Sequence, residues 1–235
     1  MVHNRREDNV MKEIVAQALA RRVKNGEVIG VGTGSTVDAA LVEIGKRVRA
    51  EGLNFKVVPT SLQSAWRCQE IGLDVLYAGF RGELSWGFDG ADEVNGDLWL
   101  IKGKGGALLQ EKILAARCKE FIVIVDESKL VTKLGENCAI PLEVVPEAIA
   151  VVEKKLSELN PTEITVREGN GKKGPVITEA GNIIVDVRLP LIDRSTELKL
   201  KSIVGVVETG LFIDFATEVI VGSPGGTRTL RRASS

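Results

Sequence analysis

The chain reads as an α/β protein: a mostly parallel sheet with helices on both faces, plus a smaller ferredoxin-like α+β domain. Two patterns and one quantity predict this. Up to about residue 135, short apolar strands alternate with amphipathic helices, the βαβ rhythm of a parallel sheet covered on both sides. From Ile140 the order becomes strand, helix, strand, strand, helix, strand, which is that of a ferredoxin-like unit. The 235 residues, 44% apolar and 27% charged, suffice for one large or two small soluble domains.

In order, the spacing predicts a helix over 8–24, a strand at 27–32 (EVIGVG), a helix over 35–50 and a strand at 55–59 (FKVVP). A helix near 61–71, strands near 74–77, 85–88 and 98–101, a helix over 106–118 and the apolar strand FIVIVD follow. The second pattern runs IPLEVV, a helix from Pro146, which suits a first helical turn, then EITVRE, a GNGKKG turn, NIIVDVRL, a helix from Ser195 and VVETGLF. The ending, ATEVIVGSPGGTRTL, reads as one more strand and a turn returning to the first domain. The expected division is therefore 1–135 with 213–235 for the α/β domain and 136–212 for the ferredoxin-like one.

Composition excludes several classes. With 31 basic against 32 acidic side chains and a pI near 6.0, no nucleic-acid-binding face is expected. No stretch reaches the ~18 apolar residues of a membrane span. Cys68, Cys118 and Cys138 are odd in number and lack CxxC spacing, so a reducing, cytoplasmic setting without disulfides or cysteine-bound zinc is expected. The N-terminal segment, acidic among its arginines, reads as neither a secretory signal nor a transit peptide. The single histidine, His3, lies near the start, so serine–histidine and cysteine–histidine chemistry is not expected, and proton transfer falls to Asp, Glu, Lys, Tyr or Cys.

Four segments could carry chemistry. GVGTGST, Gly30 to Thr36, lies between a strand and a helix, where backbone amides and the hydroxyls of Thr33, Ser35 and Thr36 can converge on an anion; a purely structural turn is the alternative. It lacks the third glycine of a dinucleotide fingerprint and the lysine of a Walker loop. FDGADEVNGD places Asp89 and Asp92 three apart, on one side of a helical turn, readable as a capping turn, a proton-exchanging pair or a magnesium site. IKGKGGALLQEKI sets Lys102, a glycine turn and Glu111 close together, suited to enolate chemistry, unless Glu111 and Lys112 form an exposed helix face. In VDESKLV, Lys129 follows a strand end and faces either ligand or solvent.

Taken in this order, the four segments resemble the type A ribose-5-phosphate isomerase family, and the likeness continues through PLEVVP, GPVIT, GNIIVDV and ETGLF. The resemblance implies interconversion of ribose 5-phosphate and ribulose 5-phosphate through an enediolate, with no metal or organic cofactor, in a cytoplasmic homodimer or homotetramer. It implies that Thr33, Gly34, Ser35 and Thr36 bind substrate, as do Asp89, Gly90, Ala91 and Asp92. Glu111 matches the general base between C2 and C1, Lys102 the oxyanion-stabilising lysine, and Asp89 the aspartate assisting ring opening, with Asp92 beside it in the catalytic set. Gly103, Lys104 and Gly105 match the substrate-binding turn, Lys129 a further binding lysine, and Lys12 a phosphate-contacting one. Lys104 departs from the commonest KGGG form. A deaminase of glucosamine 6-phosphate would be expected to use a well-placed histidine, and a sugar-phosphate sensor of the regulator type an attached helix-turn-helix; this sequence has neither.

Overall fold

The computed structural model describes residues 5–171 and 173–232; His3, and Lys172 of the expected GNGKKG turn, lie outside the described residues. The chain divides into two compact units, Met1–Ala91 with Ile113–Leu130 and Phe215–Ser235, and Asp92–Lys112 with Val131–Asp214.

The first unit is the α/β one. Its helices are α1 (Arg5–Ala20), α2 (Ser35–Glu51) and α3 (Leu62–Glu70), and its strands are β1 (Val28–Val31), β2 (Lys56–Pro59), β3 (Asp74–Val75), β4 (Trp86–Asp89), β7 (Phe121–Asp126), β13 (Glu218–Ser223) and β14 (Gly226–Arg231). They form one sheet in the order β14-β13-β7-β4-β1-β2-β3, parallel except for the β13–β14 hairpin. All six residues of β7 are buried, which is why FIVIVD carries no polar alternation: a central parallel strand is covered on both faces. On α2, Val37, Ala40, Leu41 and Ile44 recur at helical spacing and pack with Ile29, Val31, Phe88 and Ile122. The C-terminal segment expected as one strand and a turn is a full hairpin. Its second strand, GTRTLR, is mostly exposed at the sheet edge and so shows little apolar pattern.

The second unit holds β5 (Glu93–Val94), β6 (Leu100–Ile101), β8 (Ile140–Val144), α5 (Ile149–Ser157), β9 (Glu163–Val166), β10 (Ile183–Arg188), α6 (Thr196–Lys201), β11 (Val206–Thr209) and β12 (Leu211–Phe212). The antiparallel order β11-β8-β10-β9 is the ferredoxin-like arrangement read from the sequence. Val152 and Leu156 of α5 and Leu200 of α6 cover one face of it, against Leu142, Val185 and Val187.

Two features of this unit differ from expectation. Residues 92–112 and 131–135 belong to it, because β6 pairs antiparallel with β12 on one side and with β5 on the other in a separate three-stranded sheet, and Val131 N donates to Val94 O. Residues 213–214 also remain here, so the return to the first unit starts at Phe215. Helix α4 (Leu108–Arg117) contains the division, which follows Lys112.

Among the described residues no helix is long and apolar enough to cross a membrane. All three cysteines are free thiols. Burial pushes the Cys68 thiol up to about 12, aided by the negative charge of Asp38, and burial likewise raises Cys118 to about 12. At pH 8 only about 10⁻⁴ of such a thiol is thiolate, the reactive form. Native protein treated with an aromatic disulfide reagent is therefore expected to titrate at most one thiol, Cys138, until denaturant is added. Rapid loss of two or three thiols would contradict this.

Candidate active site

In the first unit, the expected binding residues gather at the carboxyl ends of adjacent parallel strands. Strand order runs from β1 to β2 on one side and from β1 to β4 and β7 on the other, so the reversal falls between β1 and β4, where open α/β sheets bind ligands. Gly32 to Thr36 leave β1 there and Asp89 ends β4. Asp89 is fully buried, and its Oδ1 accepts from Gly90 N at 2.7 Å and Thr33 N at 3.2 Å. A Cβ on Gly32 would stand 2.1 Å from Asp89 Cγ, so only glycine lets the carboxylate reach this turn.

The turn is pinned from its other side by hydroxyls. Thr33 Oγ1 lies 2.8 Å from both Thr60 Oγ1 and Ser61 Oγ and 3.1 Å from Ser64 Oγ, and Ser64 Oγ donates to Gly32 O at 2.7 Å. The Thr33 side chain thus serves the scaffold. Gly34 caps α2 without a side chain, so the N-cap residue supplies no side-chain oxygen to the first-turn N–H groups. Lys12 Nζ, from α1, donates to Ser35 Oγ at 2.9 Å. A cation, a helix N-terminus and two hydroxyl residues thus meet at one place, the chemistry of an anion cradle. Asp38, one turn into α2, has its carboxyl pushed up by burial, with Arg67 pulling the other way. Lys129 ends the short 3-10 helix Glu127–Lys129 after β7, half-buried, and Asp126 caps that helix by accepting from Ser128 N.

The second unit carries the expected base and cation. Lys102 follows β6 and Glu111 lies in the first turn of α4; their side chains are 3% and 4% exposed, with Nζ 3.3 Å from Oε2. So little exposure keeps bulk water from screening the pair. The connecting turn needs glycine at position 103, where φ is +102° and a Cβ would meet Leu108 Cβ at 2.7 Å. Lys104 donates its N–H to Asp92 Oδ2 at 3.1 Å.

Two expectations change. Asp89 and Asp92 do not share a helical turn: Asp89 ends a strand and Asp92 lies in a bend directly before β5, so the segment is not helical and the carboxylates serve different amides. Nor do Glu111 and Lys112 form an exposed helix face. Lys112 is buried, with Nζ 2.6 Å from Glu197 Oε1, 3.0 Å from Glu208 Oε1 and 4.9 Å from the Phe212 ring centroid; Lys102 Nζ lies 5.6 Å from the same ring. Burial works to raise the Glu208 carboxyl, but Lys112, Lys201 and the Thr209 N–H outweigh it and hold the group below its usual range. Lys112 thereby anchors the helix at the residue next to Glu111.

Sequence reasoning also passed over Glu93. It is fully buried and accepts from the N–H groups of Gly135, Asn137 and Cys138 at 2.5–2.8 Å, fixing the strand that begins beside Asp92. Nothing local marks a glutamate as buried. The Thr60–Ser61 pair, by contrast, sits at a strand end where the switch-point rule could have flagged it.

The family model described as Ribose 5-phosphate isomerase A (phosphoriboisomerase A) matches residues 56–226. The chain is 42% identical over 224 residues to ribose-5-phosphate isomerase A of Methanocaldococcus jannaschii, covering 94% of this chain and 98% of that one. It is 42% identical over 225 residues to the protein of that name from Pyrococcus abyssi, with the same two coverages. The solved M. jannaschii structure has a TM-score of 0.92 at 41% identity, covering 96% of this chain and 100% of the other. A D-ribose-5-phosphate isomerase in complex with phospho-erythronic acid also gives 0.92, at 38% identity over 95% and 99% of the two chains. Matched across most of its sequence by the family model and nearly end to end by these relatives, the chain belongs to the ribose 5-phosphate isomerase A family.

Proposed function

We propose that the protein interconverts D-ribose 5-phosphate and D-ribulose 5-phosphate through an enediolate, the reaction its family name describes, with Glu111 as the proton carrier. The observation that carries the proposal is the Lys102–Glu111 pair, a carboxylate and a cation held together away from water at the head of one helix. Asp89 assists ring opening by moving a proton between sugar oxygens. The Glu111 carboxylate then takes the proton from C2, the C–H electrons form the C1–C2 double bond, and the C1 carbonyl oxygen becomes an oxyanion beside Lys102. Return of the proton from Glu111 to C1, with O2 losing its proton as O1 gains one, gives the ketose.

Lys12 and the segment Thr33 to Thr36 take the phosphate, with Lys129 adding charge. Asp92, Gly90, Ala91 and the turn Gly103 to Gly105 take the hydroxyls. The phospho-erythronic acid bound to a relative has matching chemistry: a phosphate at one end, and at the other a carboxylate that is planar and anionic, as an enediolate is. The same reading carries a place in the pentose phosphate pathway, a cytoplasmic setting and a homodimeric or homotetrameric assembly.

A ribulose 5-phosphate formation assay on purified protein, run with and without exhaustive EDTA, tests this. Among the described residues no group of three or more His, Cys, Asp or Glu side chains could hold a metal ion. Turnover is expected to be equal in the two arms. Loss of turnover in EDTA, restored by Mg²⁺ or Zn²⁺, would reassign Asp89 and Asp92 as metal ligands.

A further inference from the structure

The ferredoxin-like sheet carries a charged device that the scheme above does not use. Pairing of β9 with β10 sets Thr165 against Asp186 and Glu163 against Arg188, and alternation sends Ile164, Val166, Val185 and Val187 to the helix-covered side. The opposite, open face lines a cavity of about 500 Å³ that also takes in Asp92 and Lys104.

Arg167 sits just past β9 at the edge of this face. Its Nε donates to Asp186 Oδ2 at 2.8 Å and its Nη2 to Asp186 Oδ1 at 2.5 Å, a two-point pairing that fixes the guanidinium plane. Its Nη1 donates to Gly103 O at 2.8 Å and Lys104 O at 3.0 Å, the two central carbonyls of the turn between Lys102 and α4. A trans peptide directs its N–H opposite to its C=O. Holding both carbonyls on Arg167 therefore turns the N–H groups of Lys104 and Gly105 to the other side, and the first of these meets Asp92 Oδ2 there. A cation on the carbonyl oxygens also polarises each peptide, making the following N–H a stronger donor.

We propose that Arg167, locked by Asp186, is a positioning residue for the isomerisation: it aims and strengthens the N–H of Gly105 as a donor to the substrate oxygens that gain charge in the enediolate, and keeps the N–H of Lys104 on Asp92. This rests on the function proposed above. It also gives the smaller domain a task, since the sheet that presents Arg167 and Asp186 holds the catalytic turn. Lysine cannot replace the arginine, because an ammonium cannot pair side-on with a carboxylate and hold two carbonyls at once.

The test compares wild type with Arg167→Ala, Arg167→Lys and Asp186→Asn. Arg167→Ala is expected to lose about 10- to 100-fold in kcat, with KM changing by less than about threefold, because a misaimed donor weakens the transition state more than the phosphate grip. Arg167→Lys should recover little, and Asp186→Asn should lose part of the rate. Amide hydrogen exchange of Lys104 and Gly105 should quicken in all three, and millimolar guanidinium chloride should restore turnover to Arg167→Ala alone. A purely structural role would lower Tm without guanidinium rescue. Unchanged kcat, or a loss that guanidinium does not reverse while exchange of the turn stays at the wild-type rate, overturns the proposal. If Arg167→Ala does not fold, Asp186→Asn, which keeps the cation, decides by the same two readouts. A wild-type protein with no ribulose 5-phosphate formation would sink the functional reading instead, and exchange of the turn would still judge the role of Arg167.

Discussion

Replacing Glu111 by Gln is expected to lower kcat by at least the ~10² to 10⁴ of general-base loss, while KM moves much less. The amide keeps the volume and much of the hydrogen bonding of the carboxylate in a site only 3% exposed, so the change removes basicity rather than packing. Water cannot substitute as a base where it has so little access. Exchange of the substrate C2 proton with solvent, followed by NMR in D₂O, should disappear together with turnover. Near-normal exchange in Glu111→Gln, with loss in Asp89→Asn or Asp92→Asn, would move the base to the DGAD segment and reverse the roles.

Free ribose is expected to be a very poor substrate, with kcat/KM lower than that of ribose 5-phosphate by at least roughly 10³. A phosphate on Lys12 and the start of α2 would accept several charge-assisted hydrogen bonds at about 1.5–3 kcal/mol each, so three of them account for a loss of this size or more. That binding energy positions the distant reacting carbons, so its removal lowers kcat as well as raising KM. Thr36→Val, which deletes one hydroxyl at nearly constant volume, should cost about 10-fold or more in kcat/KM by the same arithmetic. Similar kcat/KM for ribose and ribose 5-phosphate, or a Thr36→Val protein with unchanged constants, would place the phosphate elsewhere.

Much of this was legible in the residues in order. Burial along a strand or helix repeats over two or 3.6 residues, so the parallel rhythm of β1, β2, β4 and β7 and the strand–helix order from Ile140 onward could be read locally. The candidate site segments were legible for the same reason: GTGST and KGKGG directly follow a strand and DGAD begins at a strand's last residue, and a glycine-rich turn beside hydroxyls or charges stands out within a few residues.

What stayed hidden depends on partners distant in the chain. Pairing of β6 with β12 joins Ile101 to Leu211 and draws 92–112 into the second unit, and no local period encodes that choice. Burial of Lys112 depends on Glu197 and Glu208, and the clamp on the glycine turn before α4 depends on Arg167, 64 residues beyond Gly103. A charged residue in sequence reads as solvent-facing because desolvating it alone is costly; burial becomes favourable only when folding brings the opposite charge or a set of amides to it. For Glu93, Lys112 and Arg167 those partners exist only in the folded chain.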